Sequence, residues 1–263
     1  MNPEEKKFIQ KIRQKVGKAI NDYNLINEGD SVLLGLSGGK DSLCLLDILA
    51  GRRKFSPLKF KLKAAYIAID EIPYSVDRSY IEDFAAEREV ELIYHHAHIS
   101  EKREDKKLCF ICSWTRRKAL FEIRKDLNIN KITLGHHRDD AIATLMMNML
   151  QHGTISSFPP KLLLFNGEME LIRPLYYLSN AELEKYSTIM NFQVAPKTCP
   201  HGCTSNRLKI NQVIQEMKKI NPGAEQNIFN SMANIYLEYL PKQFDTKNKG
   251  AMLHNFKNED KDF

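Results

Sequence analysis

The sequence predicts an α/β fold: a parallel sheet with helices on both faces. Two observations predict it. Apolar strand-like runs alternate with helical patterns at a spacing that calls for crossover connections, and crossovers cover both faces of a sheet. The first of these runs, SVLLGLSGGKDS at 31–42, breaks on glycines and passes directly into a helix. The expected architecture is Rossmann-like, with an N-terminal helix and a small helical C-terminal part. The divisions are 1–25 (helix), 26–178 (α/β domain), 179–240 (helical region) and 241–263 (loose tail).

Residues 3–23 read as a helix, because Phe8, Ile12, Val16 and Ile20 recur every four residues and Pro3 suits a first turn. Asn27, Glu28, Gly29 and Asp30 turn the chain into the first strand, the apolar run of Val32, Leu33, Leu34 and Leu36. Ser37, Gly38 and Gly39 end it, and Lys40, Asp41 and Ser42 open a helix. A strand, a glycine turn and a helix N-terminus form an anion site. Glycines let backbone N–H groups close on phosphate oxygens, and the helix dipole favours negative charge. Ser37 and Ser42 add hydroxyl donors, and Lys40 adds a point charge. The loop is not a Walker A sequence, which needs Gly at 34 and Ser or Thr at 41; this chain has Leu34 and Asp41.

A second strand at 64–69 ends in Asp70, on the side where open α/β sheets bind ligands. A helix at 75–88 and a strand at 91–98 follow. His96 and His98 share one face of that strand and receive no role. Cys109-Phe110-Ile111-Cys112 then stands at the start of a helical pattern over 113–127. Two thiols one turn apart face one point, and Arg116 and Arg117 favour the thiolates. Alone, this motif fits a redox pair, zinc or an iron–sulfur cluster.

A strand at 131–134 runs into Gly135-His136-His137-Arg138-Asp139-Asp140 and an apolar helix at 141–150. This second corner faces the same sheet edge, which places Gly135 and His136 beside the anion site. Asp139 and Asp140 can hold Mg²⁺ through oxygen ligands or cap the helix, and the two roles can fall on different members of the pair. Residues 158–175 read as a hairpin about Asn166-Gly167, and Ser179-x-x-Glu182 reads as a capping box. Cys199-Pro200-His201-Gly202-Cys203 comes next, then helices at 207–220 and 224–240, then the polar tail.

The chain has 263 residues, enough for a sizeable core, and 43% of them are hydrophobic. It has no apolar run of about 18 residues, so no membrane span is expected. The N-terminus is charged and has no signal-like apolar core, which makes the cytoplasm the expected location. Five cysteines, four in two close pairs, read as metal or redox chemistry rather than a disulfide framework. The net charge of +6 is uneven: nine Lys and Arg fall within 102–125. Such a cluster suits a phosphate-rich partner or a solvated helix face.

The stretch SGGKDS matches the loop with which PP-loop ATP pyrophosphatases bind the pyrophosphate part of ATP. Five further features follow in one order: Cys109-x-x-Cys112 with Arg116-Arg117, Leu134-Gly-His-His-Arg-Asp-Asp140, Phe158-Pro-Pro-Lys161, Ile172-Arg-Pro-Leu175 and the later cysteines. Together they resemble the tRNA 2-thiocytidine synthetases (tRNA-cytidine 2-sulfurtransferases) over roughly residues 10–240. The resemblance implies ATP, Mg²⁺ and a 4Fe–4S cluster as cofactors. It implies tRNA as substrate, a sulfur donor such as a cysteine desulfurase, and allows a homodimer. The implied reaction adenylates the C2 oxygen of an anticodon-loop cytidine and replaces it with sulfur.

By position, Ser37, Gly38, Gly39, Lys40, Asp41, Ser42, Asp70, Gly135 and His136 would hold the nucleotide. Lys40, Asp139 and Asp140 would act in catalysis. Cys109, Cys112 and one of Cys199 and Cys203 would ligate the cluster, with spacing from Asn221-Pro222 favouring Cys199. The later pair is one residue wider than the family's Cys-x-x-Cys. Arg103, Lys106, Lys107, Arg116, Arg117 and Arg207 are candidates to position RNA. Three rivals remain: a PP-loop enzyme acting on uridine, one adding an amine, and a zinc Cys₄ RNA-binding module.

Overall fold

The computed structural model describes residues 1–72, 76–99, 108–195 and 206–240. Helix α1 (Pro3–Asp22) begins at Asn2. The Asn2 side chain accepts from the Glu5 N–H while the Glu5 carboxylate accepts from the Asn2 N–H, a reciprocal cap. Its inward face is Ile9, Ile12, Val16 and Ile20. Next come β1 (Ser31–Gly35), α2 (Lys40–Phe55), β2 (Lys61–Ile69), α3 (Arg78–Ala86) and β3 (Glu91–Ala97). Then follow α4 (Leu108–Asp126), β4 (Lys131–Thr133), α5 (Arg138–His152), β5 (Lys161–Leu164) and β6 (Met169–Ile172). The chain closes with α6 (Asn180–Ile189), α7 (Asn206–Ile220) and α8 (Ala224–Ser231).

The six strands form one sheet in the order β3-β2-β1-β4-β6-β5. Every pairing is parallel except β5 with β6 at the edge. Strand β1 shows why both faces are covered. Val32 and Leu34 pack into a core shared with α1, α2, α3 and α6, while Leu33 packs into the opposite core with Leu120 and Ile123 of α4. A third cluster joins Ile142 and Ala143 of α5 to Ile210 and Ile214 of α7. No helix among the described residues is long and apolar enough to cross a membrane.

The strand order reverses at β1, which has β2 on one side and β4 on the other. The C-terminal ends of β1 and β4 therefore flank the topological switch point, the crevice where open α/β sheets bind ligands. The opposite end of the sheet is closed by charge. Lys131 is 2% exposed, lies 2.9 Å from Asp30 and 2.6 Å from Glu170, and donates to the Leu25 carbonyl.

Several expected boundaries shift. Strand β2 starts three residues before 64, and α3 starts at Arg78 because Asp77 caps it, accepting from the Tyr80 N–H. The hairpin turn is as expected, with Phe165, Asn166 and Gly167 all left-handed. The helix expected at 224–240 ends at Ser231. Its last amides switch to carbonyls three residues back, and the Ser231 hydroxyl bonds the Ile228 carbonyl, so local polar contacts replace the helical ladder. The tail expected at 241–263 lies outside the described residues.

Candidate active site

Beyond β1 the chain turns sharply at 37–39. Gly38 has φ +73°, and a Cβ there would lie 2.6 Å from Val76, so no other residue fits. Gly39 occupies the cap position of α2, and no side chain caps that helix. Its N-terminus thus keeps its partial positive charge facing the crevice. The serines brace the loop: the Ser37 N–H donates to Ser42 Oγ at 3.1 Å, and that hydroxyl donates to the Gly39 carbonyl at 2.9 Å. Lys40 Nζ sits 2.9 Å from Asp41 Oδ1.

The second corner nests against the first. A Cβ on Gly135 would lie 3.1 Å from the Asp41 carbonyl carbon and 3.2 Å from the Ser42 nitrogen, so glycine permits this approach. Helix α5 is capped reciprocally: the Asp139 N–H donates to His137 Nδ1, and the His137 N–H donates to Asp140 Oδ2. The two aspartates then part. Asp139 accepts from Arg138 with one oxygen and from the Asn180 N–H at 2.8 Å with the other, tying α5 to the start of α6. Asp140 accepts from Arg207 of α7 at 2.8 Å and faces the crevice.

These corners open on a cavity of about 760 Å³. Ser37, Asp41 and Ser42 line one side; Gly135, His136 and Asp140 line another. Cys112 reaches it from α4, and so does Arg116 one turn later on the same helix face, followed by Arg117. Ala65, Tyr66 and Ile67 of β2 supply apolar wall. Gly38, Gly39 and Lys40, expected to hold the nucleotide, are not among the residues that line this cavity. Burial, then the charge of Arg173, pushes the His136 imidazole down to about 4, against the pull of Asp140. The ring is therefore neutral at pH 7, and its Nδ1 is buried without a partner.

Asp70 lies apart. It is exposed and bound to His96 Nδ1 at 2.8 Å, with His98 at 3.3 Å, and the His96 hydrogen bond holds its carboxyl below the usual range. Asp139 and Asp70 do not line the cavity; Asp140 does. The Cys109 side chain, Cys199, Cys203, Arg103, Lys106 and Lys107 fall outside what the structure describes. Among the described residues, no three His, Cys, Asp or Glu side chains converge on a metal position. The fifth cysteine, Cys44, is buried in the core, and burial raises its thiol pKa well above the ordinary value.

The PP-loop domain family matches residues 7–195. The tRNA-cytidine(32) 2-sulfurtransferase of Acaryochloris marina is 36% identical over 248 residues, covering 91% of this chain and 87% of that protein. The enzyme of the same name from Haemophilus influenzae is 36% identical over 247 residues, covering 92% and 79%. The chain belongs to the tRNA-cytidine 2-sulfurtransferase family of PP-loop proteins. The U34-tRNA thiolase NcsA of Methanococcus maripaludis, solved with its 4Fe–4S cluster, shares the PP-loop fold. Its TM-score is 0.68 at 21% identity, covering 92% of this chain and 82% of that one.

Within this PP-loop fold, sequence reasoning did not assign a site role to Arg173. It follows β6, is 5% exposed, donates from Nη1 to the Pro159 carbonyl at 2.6 Å and stacks 4.7 Å from the Phe158 ring. The signal was a lone arginine ending an apolar strand.

Proposed function

We propose that this protein thiolates tRNA, using ATP to activate the C2 oxygen of a cytidine in the anticodon loop. The observation that supports this best is convergence: Cys112, the glycine loop's Ser37 and Ser42, and Asp140 line one cavity at the switch point. A zinc-stabilised binding module has no use for that arrangement.

The loop fits a polyphosphate. Gly38 makes a cradle that a Cβ would fill, and the uncapped start of α2 offers N–H groups and a favourable dipole. Lys40 stands ready to exchange Asp41 for a phosphate oxygen. In the first step the base's C2 oxygen attacks the α-phosphorus of ATP, and pyrophosphate departs toward the loop. Positive charge at the loop offsets the charge that develops on the leaving group. In the second step sulfur adds at C2 and AMP leaves with the oxygen. Asp140 would hold Mg²⁺, since both oxygens of Asp139 are engaged in tying helices together. It must then release Arg207.

Cys112 would hold a 4Fe–4S cluster together with Cys109, three residues earlier on α4, and one later cysteine. Cys199 is favoured for that place and Cys203 is the alternative. Soft thiolates suit iron, and a cluster held by these cysteines would supply the chemistry that delivers sulfur. Arg116, Arg117 and Arg207 give the rim the charge an RNA strand requires.

The test is anaerobic turnover with unmodified tRNA, ATP, Mg²⁺ and sulfide, followed by mass analysis of nucleosides. Pyrophosphate release with 2-thiocytidine is expected. Thiouridine instead would move the substrate to another base. Bound zinc without iron, and no thiolated nucleoside, would overturn the reading.

A further inference from the structure

Two lysine or arginine side chains among the described residues are buried, Lys131 and Arg173. Lys131 has two carboxylates. Arg173 has none among the described residues, and its Nε is buried without a hydrogen-bond partner. A buried, unpaired cation is strongly unfavourable. The cavity it lines offers no relief: its carboxylates, Asp41 and Asp140, already face Lys40 and Arg207. Arg117 adds a further guanidinium to the same lining.

We propose that Arg173 is a phosphate-binding residue, and that the missing counter-charge is a phosphate group carried in by substrate. This rests on reading the cavity as a nucleotide site. Burial, together with the charge of Arg117, pushes the Arg173 guanidinium down only to about 10, so it stays charged at pH 7. Strand β6 lies two strands from β1, about 10 Å across the sheet. Arg173 therefore meets a different phosphorus from the one on the glycine loop. That phosphorus is the α-phosphate of the nucleotide or a phosphodiester of the RNA beside its target base. Both present the oxygens that a guanidinium fork grips in pairs.

A purely structural arginine would pin Pro159 and support Phe158, and the two roles differ in sign. The experiment measures the melting temperature of wild type, Arg173→Met and Arg173→Lys alone, then with pyrophosphate and with AMP. It also measures tRNA affinity across a salt series. Free Arg173→Met is expected to melt at or above wild type, because an unpaired charge has gone and the exposed Pro159 can turn to water. Its response to pyrophosphate should persist.

If the α-phosphate is the ligand, AMP affinity falls about tenfold or more. If the RNA phosphodiester is the ligand, tRNA affinity falls and the salt slope drops by about one, while AMP binding stays intact. Arg173→Lys should recover only part of either loss. Unchanged AMP and tRNA binding would overturn the proposal. So would a marked fall in free-protein melting temperature with both affinities kept. If wild type ignores both pyrophosphate and AMP, the nucleotide reading fails, and Arg173 is decided by the tRNA arm.

Discussion

At one end of the sheet Lys131 lies between Asp30 and Glu170, which meet it at 2.9 and 2.6 Å; at the other end Arg173, similarly buried, meets a carbonyl and a phenyl ring and no carboxylate among the described residues. The two residues stand on strands that pair directly, with Lys131 opposite Glu170 and Arg173 just past Ile172. Burial alone therefore does not decide whether a charge is structural. What decides is whether the chain itself supplies the counter-charge. At the N-terminal end of the strands the buried cation is matched by two carboxylates of the chain itself. At the C-terminal edge the arginines outnumber the carboxylates, and a cavity opens there.

The sharpest way to break this contrast is Lys131→Met. It takes away the buried cation between Asp30 and Glu170 and leaves Glu170 only Lys161 at 3.0 Å, and about 3–5 kcal/mol of unfolding free energy should be lost. Denaturant titration measures it. Turnover of the folded fraction should be unchanged, because the site lies at the far end of the strands. Reduced turnover at full stability would mean that the two ends are coupled.

The next largest effect belongs to Asp140→Asn. If Asp140 holds Mg²⁺ against the phosphates, pyrophosphate release should fall roughly 100-fold or more. The fold should survive, since the amide oxygen can still accept from the His137 N–H. Near-normal release would remove Asp140 from the chemistry.

The two ends should also titrate apart. His136 binds a proton less readily in the folded state than its ordinary 6.5, because its pKa lies at about 4. The unfolded chain then holds more protons, so stability should fall as pH drops from 6.5 to about 4 and level off below. Burial works against the Glu170 carboxylate, but hydrogen bonds from Lys131 and Lys161 hold its pKa below 4.5. Its contribution is complete above 4.5 and is lost only in stronger acid. Replacing His136 with Phe should flatten the first limb alone. In Arg173→Met the His136 midpoint should rise part of the way, measured by NMR titration, because burial remains while one repelling charge is gone. A fixed midpoint would show that the two groups do not share a field.

Much of this was legible in the chain because it is local. The run into SGGKDS, the box at Ser179 and Glu182, and the turn at Asn166-Gly167 are each set by neighbours a few residues apart, and each stands where expected. What escaped was non-local. The partner that engages Asp139 is the backbone of Asn180, and the partner of Asp140 is Arg207. No spacing rule links those positions. Asp70 stands at its strand end as the sequence predicts, yet its contacts are with His96 and His98, to which the sequence assigns no role. Arg173 was visible as part of a motif. Its lack of a carboxylate is a property of the packed molecule, and no pattern along the chain carries it.

The smallest expected effect tests the division within the aspartate pair. Asp139 holds Arg138 at 3.2 Å and the Asn180 amide at 2.8 Å, and neither contact faces the cavity. Asp139→Asn keeps one oxygen for the Asn180 N–H and loses the charge that strengthens both bonds. The expected cost is about 1 kcal/mol of stability, with turnover of the folded fraction within about twofold of wild type. The Asp140 variant should show the reverse pattern, intact in stability and poor in turnover. If Asp139→Asn loses turnover as deeply as Asp140→Asn, the pair acts together on the metal. The helix-tying contacts seen here would then have to yield when the nucleotide binds.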